Sequence, residues 1–147
     1  MTRRFALAAG SAALTALALA GCGGAVQVEP PTPEGTTAAA CVKLDGLLPR
    51  SLDGVDRVES TPKSPYVAVW GSAEIALRCG VPRPVTMAPT DQLTEIDGVG
   101  WFPDPRTPTL FTAVTGEGYV EVTISREHTP GNVLADLSGP VKKALPG

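Results

Sequence analysis

The sequence predicts an α+β domain, a small antiparallel sheet with an N-terminal and a C-terminal helix packed on one face. Three observations predict it. Apolar residues recur at helical spacing around residue 41 and again beyond residue 130, the runs between them alternate apolar with polar, and the resulting order is helix, several strands, helix.

The first helix is read from "TTAAACVKLDGLLP", where Thr36 or Thr37 caps, Cys41, Leu44, Leu47 and Leu48 recur along one side, and Pro49 ends the turn. "YVAVWG" follows as a strand and Gly71-Ser72 as a tight turn. Glu74 to Gly80 then alternates, with Ile75, Leu77 and Cys79 on one face and Glu74, Ala76 and Arg78 on the other. After the Pro-rich "VPRPVTMAP" and a polar stretch, "VGWF" reads as another short strand. "TLFTAVTGEGYVEVTIS" is a hairpin turning at Gly116-Glu117-Gly118, its second arm placing Val120, Val122 and Ile124 inward. Thr129 caps the last helix and Pro130 suits its first position. Val133, Leu134, Leu137, Val141 and Leu145 form its apolar side, and Pro140 predicts a kink or split near Gly139.

Upstream of this domain the chain opens Met-Thr-Arg-Arg and runs apolar from Phe5 to Ala20, broken only by Gly10, Ser11 and Thr15. A basic start and an apolar stretch too short for a comfortable membrane span are the marks of an export signal. The stretch ends in Leu19-Ala20-Gly21-Cys22, which resembles the lipobox of bacterial lipoproteins, in which the cysteine thiol is alkylated with diacylglycerol before cleavage on its N-terminal side. Arg3-Arg4 fits both general and twin-arginine export. The expected organisation is a signal over residues 1–21, a lipidated Cys22 with a flexible Pro/Gly-rich tether over 22–37, and one domain over 38–147. Removing 21 of the 147 residues leaves 126; 12 basic residues become 10 against 15 acidic, a net −5. So acidic a chain has no electrostatic footprint for nucleic acid or anionic lipid, and its expected membrane partner is reached through the acyl chains at Cys22.

Taken together, "CVKLDGLLPRSLDG", "VWGSAEIALRCGVPRP", "DGVGWF", the hairpin and "NVLADLSGPV" resemble an actinobacterial family of exported proteins and lipoproteins catalogued as a domain of unknown function. The Trp-Gly to Leu-Arg-Cys-Gly block is the most specific part. The resemblance implies that Cys41 and Cys79 are paired cysteines. It assigns no activity. With Cys22 taken by lipid, the other two cysteines sit in an oxidising compartment where a disulfide is the default.

The remaining candidates are few. Trp70, Arg78 and Trp101 are the possible ligand- or partner-binding residues: two tryptophans near strand ends make a stacking shelf and Arg78 a fork for a carboxylate or phosphate, or else both indoles fill the core and Arg78 pairs with Glu74. His128, the single histidine, is expected as a solvated loop residue beside the Thr129 cap, and neither a metal nor a cofactor is expected. Asp91, Glu95, Asp97 and Asp104 lie in a turn-rich stretch where acids are usually solvated or capping. The expectation is a lipid-anchored protein of the extracytoplasmic membrane face, a non-catalytic binding or scaffold module whose partner is another envelope protein or a cell-wall component. An envelope enzyme acting on a cell-wall or small polar substrate is the alternative.

Overall fold

A computed structural model describes residues 24–147; the export segment and Cys22 lie outside them. In chain order the elements are β1 (Val26–Gln27), α1 (Gly35–Leu47), β2 (Ser51–Leu52), β3 (Val55–Val58), β4 (Ser60–Thr61), β5 (Val67–Trp70), β6 (Ile75–Val81), β7 (Thr94–Ile96), β8 (Val99–Pro103), β9 (Leu110–Thr115), β10 (Gly118–Ile124) and α2 (Pro130–Ala144). Eight strands form one antiparallel sheet in the order β2-β3-β5-β6-β10-β9-β8-β7, while β1 and β4 pair in parallel beside it.

The inward alternation of β6 and β10 sets the core. Val122 faces Leu77, Ile124 faces Ile75 and Val120 faces Cys79 across the strand pair. That row is roofed by Cys41 and Leu44 of α1 and by Val133, Leu137 and Val141 of α2, all fully buried. The Cys41–Cys79 disulfide joins α1 to β6. Helix α2 runs unbroken through Pro140, because the burial of Leu137, Ser138 and Val141 on either side holds the turn whose hydrogen bond proline cannot make. Neither helix uses the expected hydroxyl cap. Glu34 stands before α1 and Thr129 before α2 without side-chain cap bonds, and Thr37 instead donates its hydroxyl to Glu117 O at 2.6 Å, fastening α1 to the β9–β10 hairpin.

The stretch read as a tether is packed against the domain from Gly24 onward. Val26 N donates to Glu59 O at 3.0 Å and Val28 N to Thr61 O at 3.1 Å, and Arg78 Nε donates to Glu29 O at 3.0 Å. Pro33 then lies on Gly80. This glycine is the extra residue of a bulge, skipped between the Tyr119–Val81 and Val120–Cys79 pairs, with φ +85°. A Cβ there would fall 2.5 Å from Pro33 Cβ, so both the backbone turn and the close approach require glycine. The segment from Gly24 to Pro33 thus has the domain's surface to lie on.

Candidate functional site

Of the two readings of the tryptophans the structure shows the core one, and no stacking shelf forms. Trp70 and Trp101 are 0% and 1% exposed, part of the core under the helices. Each indole N–H is used internally: Trp70 Nε1 donates to Pro49 O at 3.1 Å and Trp101 Nε1 to Ser138 Oγ at 3.0 Å. Residues 99 and 101 alternate onto the same face as α2, which is why the ring of Trp101 reaches Ser138. Arg78, on the opposite face, is not near either ring. It forms a salt bridge with Glu121 at 3.0 Å, its direct cross-strand neighbour in the β6–β10 register, rather than with Glu74. A guanidinium already holding a carboxylate and a backbone carbonyl is not a vacant fork.

Glu74 is committed elsewhere, to the residue expected to be solvated. The His128 side chain is 8% exposed, with Nδ1 2.9 Å from Asp53 Oδ2 and Nε2 3.0 Å from Glu74 Oε2. Three connections converge to make this clasp: the β2–β3 turn supplies Asp53 (φ +46°), the β5–β6 turn supplies Glu74, and the β10–α2 link supplies His128. Gly71, at φ +63°, leaves space for the Glu74 carboxylate, since a Cβ there would lie 2.5 Å from Oε1. The Asp53 hydrogen bond, followed by that of Glu74, raises the His128 pKa above 6.5 against the opposing effect of burial. An imidazolium donating to two carboxylates is the species the geometry favours.

This clasp is not arranged as a nucleophilic triad. Both ring nitrogens face carboxylates, and the buried Ser125 hydroxyl nearby has no hydrogen-bond partner among the described residues. Its effect is on stability, with a definite sign. A folded pKa above the unfolded value means that the clasp stabilises fully below about pH 6.5 and ceases to as pH rises through the folded value. Urea titrations should therefore show His128→Gln less stable than the wild type by about 1–3 kcal/mol at mildly acid pH, with the gap closing at alkaline pH. A gap that widened with pH would contradict this.

The acids of the turn-rich stretch are not brought together. Asp104 is buried and accepts from the Thr86 hydroxyl at 2.6 Å and from the backbone N–H groups of Arg106 and Thr107. The Thr86 bond leads in lowering its pKa, with burial opposing and the two N–H groups assisting. Asp97 instead occupies the β7–β8 turn, where its carbonyl accepts from Lys142 of α2, and Asp91 caps Ala88 N–H at 2.8 Å. Among the described residues, no group of three His, Cys, Asp or Glu side chains is arranged to hold a metal ion, and no helix is long and apolar enough to cross a membrane.

What the sequence reading missed is a cleft of about 770 Å³ along the β3–β5 margin. It opens because β3 ends at Val58 and the chain swings out through Glu59–Pro65 before returning as β5. Val58, Pro65 and Val67 supply apolar lining. Its Asp45–Arg57 wall is an ion pair reinforced by Arg57 Nη1 donating to Asp45 O, with the guanidinium 6.0 Å from the Trp70 ring centroid. Arg50 and Asp56 also line the cleft, both exposed and both without a side-chain partner among the described residues. Three basic side chains, Arg50, Arg57 and Lys63, face three acidic ones, Asp45, Asp56 and Glu59, so the cleft is charged but balanced. The sequence signal was "PRSLDGVDRVES": Asp53-Gly54 is a hairpin turn flanked by charges of both signs.

Comparison with curated proteins and with solved structures gives no match. A family profile does match, over residues 5–147, and that span takes in every element of the sheet, both helices and both cysteines of the disulfide. The chain accordingly belongs to the family described as protein of unknown function, DUF3515.

Proposed function

We propose that this is a lipid-anchored protein of the extracytoplasmic membrane face, acting as a non-catalytic binding module through the β3–β5 cleft. The observation that carries the binding reading is the pair of opposite charges, Arg50 and Asp56, without side-chain partners among the described residues and beside the apolar lining of Val58, Pro65 and Val67. A balanced set of charges around an apolar floor suits a ligand that itself carries both signs, such as a peptide segment or a small zwitterion, better than a polyanion. Anchoring is supported by Leu19-Ala20-Gly21-Cys22 behind a basic, apolar export segment, and by a disulfide that suits an oxidising compartment. The envelope protein or cell-wall component expected as partner meets the cleft in this reading.

Crosslinking on intact cells tests it. A photoreactive side chain at position 58 should yield a defined adduct, and Arg50→Glu combined with Asp56→Lys should abolish it while leaving the protein folded and at the membrane. The same adduct from both proteins would remove the cleft from the binding role.

A further inference from the structure

We propose that one end of the sheet is a membrane-contact surface: the end bearing the Asp53–Gly54 turn, the Gly71–Ala73 turn and the 125–129 connection lies on the lipid headgroups. This rests on the lipid anchor at Cys22 and adds which way the domain stands upon it.

Chain geometry carries the argument. Strand registers place four connections at the same end of the sheet, since Leu52 pairs with Val55, Trp70 with Ile75, Ile75 with Ile124, and Pro103 with Phe111. Gly24 and Ala25 line a groove at this end together with Gly54, Gly71 and Ser72. Cys22 is two residues before Gly24, and two residues span at most about 7 Å. An anchor on Cys22 can therefore stand no farther than that from Gly24, which lies beside these turns.

No slack follows that would let the domain turn over. From Gly24 the chain climbs the sheet face opposite the helices, fixed by the Val26–Glu59 and Val28–Thr61 bonds, by Arg78 on Glu29 O, and by Pro33 on Gly80, before Thr37 docks on the far hairpin. A freely jointed tether of 16 residues would allow any orientation; a lead of two residues does not.

The charges of this end are largely offset among themselves. Three of its acids are engaged, Asp53 and Glu74 with His128 and Asp104 with Thr86, while the exposed charges are Arg106 and Arg126 against Glu127 and the groove's Asp56 and Glu59, the last paired with Lys63. That pairing lessens the repulsion that an acidic chain would otherwise meet at the headgroups, and the acyl chains supply the attraction. Facing away from the membrane are the Gly116–Glu117 hairpin tip and Pro146 and Gly147 packed beside it.

The two ends are separated by the seven residues of β10, about 20 Å at 3.3 Å per residue. A benzophenone amino acid incorporated at position 72 or at position 117 of the full-length, membrane-borne protein reads the orientation. Irradiation should give phospholipid adducts, detected by mass spectrometry, from position 72 and none from position 117, with metabolically incorporated palmitate retained in both. Adducts from position 117 equal to those from position 72, or none from either, with palmitate retained, would overturn the orientation and leave the anchor intact. Absence of palmitate from the unsubstituted protein would overturn both.

Discussion

Opening the Cys41–Cys79 disulfide, by reductant or by the C41A/C79A pair, should lower the unfolding free energy by about 4 kcal/mol, the chain-entropy cost of releasing a closed loop of this length. For a domain of this size, total stability is of order 5–15 kcal/mol, so the loss approaches the whole margin at the low end of that range. The bond spans 38 positions of sequence and joins α1 to β6 in the sheet centre. Everything between, including β2, β3 and the clefted margin, lies inside the loop it closes. Denaturant titration with and without reductant checks this. A shift below about 1 kcal/mol would mean that the helix and sheet hold each other without it.

Trp101→Ala should cost about 3–5 kcal/mol, the range for emptying a large buried aromatic site. Trp101→Phe should cost less, because it keeps most of the ring volume and forfeits chiefly the bond to Ser138 Oγ, about 1 kcal/mol. The ordering is the informative part. A tryptophan exposed for ligand stacking would tolerate either change to within about 0.5 kcal/mol, and thermal or urea unfolding of the two variants separates these cases. Ser138 keeps its own bond to Leu134 O in both variants, so the helix itself is not the casualty.

These expectations show which parts of the molecule are legible in its sequence. The alternation of Ile75, Leu77 and Cys79 and that of Val120, Val122 and Ile124 is strict, and the structure pairs those very residues. Both helices lie where their spacing placed them, to within a residue or two. β2 and β3 escaped the reading because a two-residue and a four-residue strand of alternating exposure, two of whose members are charged, carry no apolar run. β1 escaped because it is two residues long and precedes a Pro-rich stretch, and its pairing partner is 34 residues on.

The site failed for a different reason. His128 was rightly placed in a connection before a helix, yet its burial depends on Asp53 and Glu74, 75 and 54 positions away, and no local pattern records that three turns meet at one end of a sheet. Trp70 and Trp101 were ambiguous in composition but not in register, since both share the inward face with residues already read as core. Arg78 illustrates the same rule. Its nearest acid along the strand was Glu74, and its partner is the acid directly across from it.

We propose that lipid on Cys22 holds the chain at a membrane, and the mass of the mature N-terminus is the test. Protein extracted from membranes with detergent should begin at Cys22 and carry the added mass of a diacylglyceryl group, and Cys22→Ala should leave it unprocessed and unlipidated. An N-terminus at any other residue, or an unmodified Cys22, would contradict it.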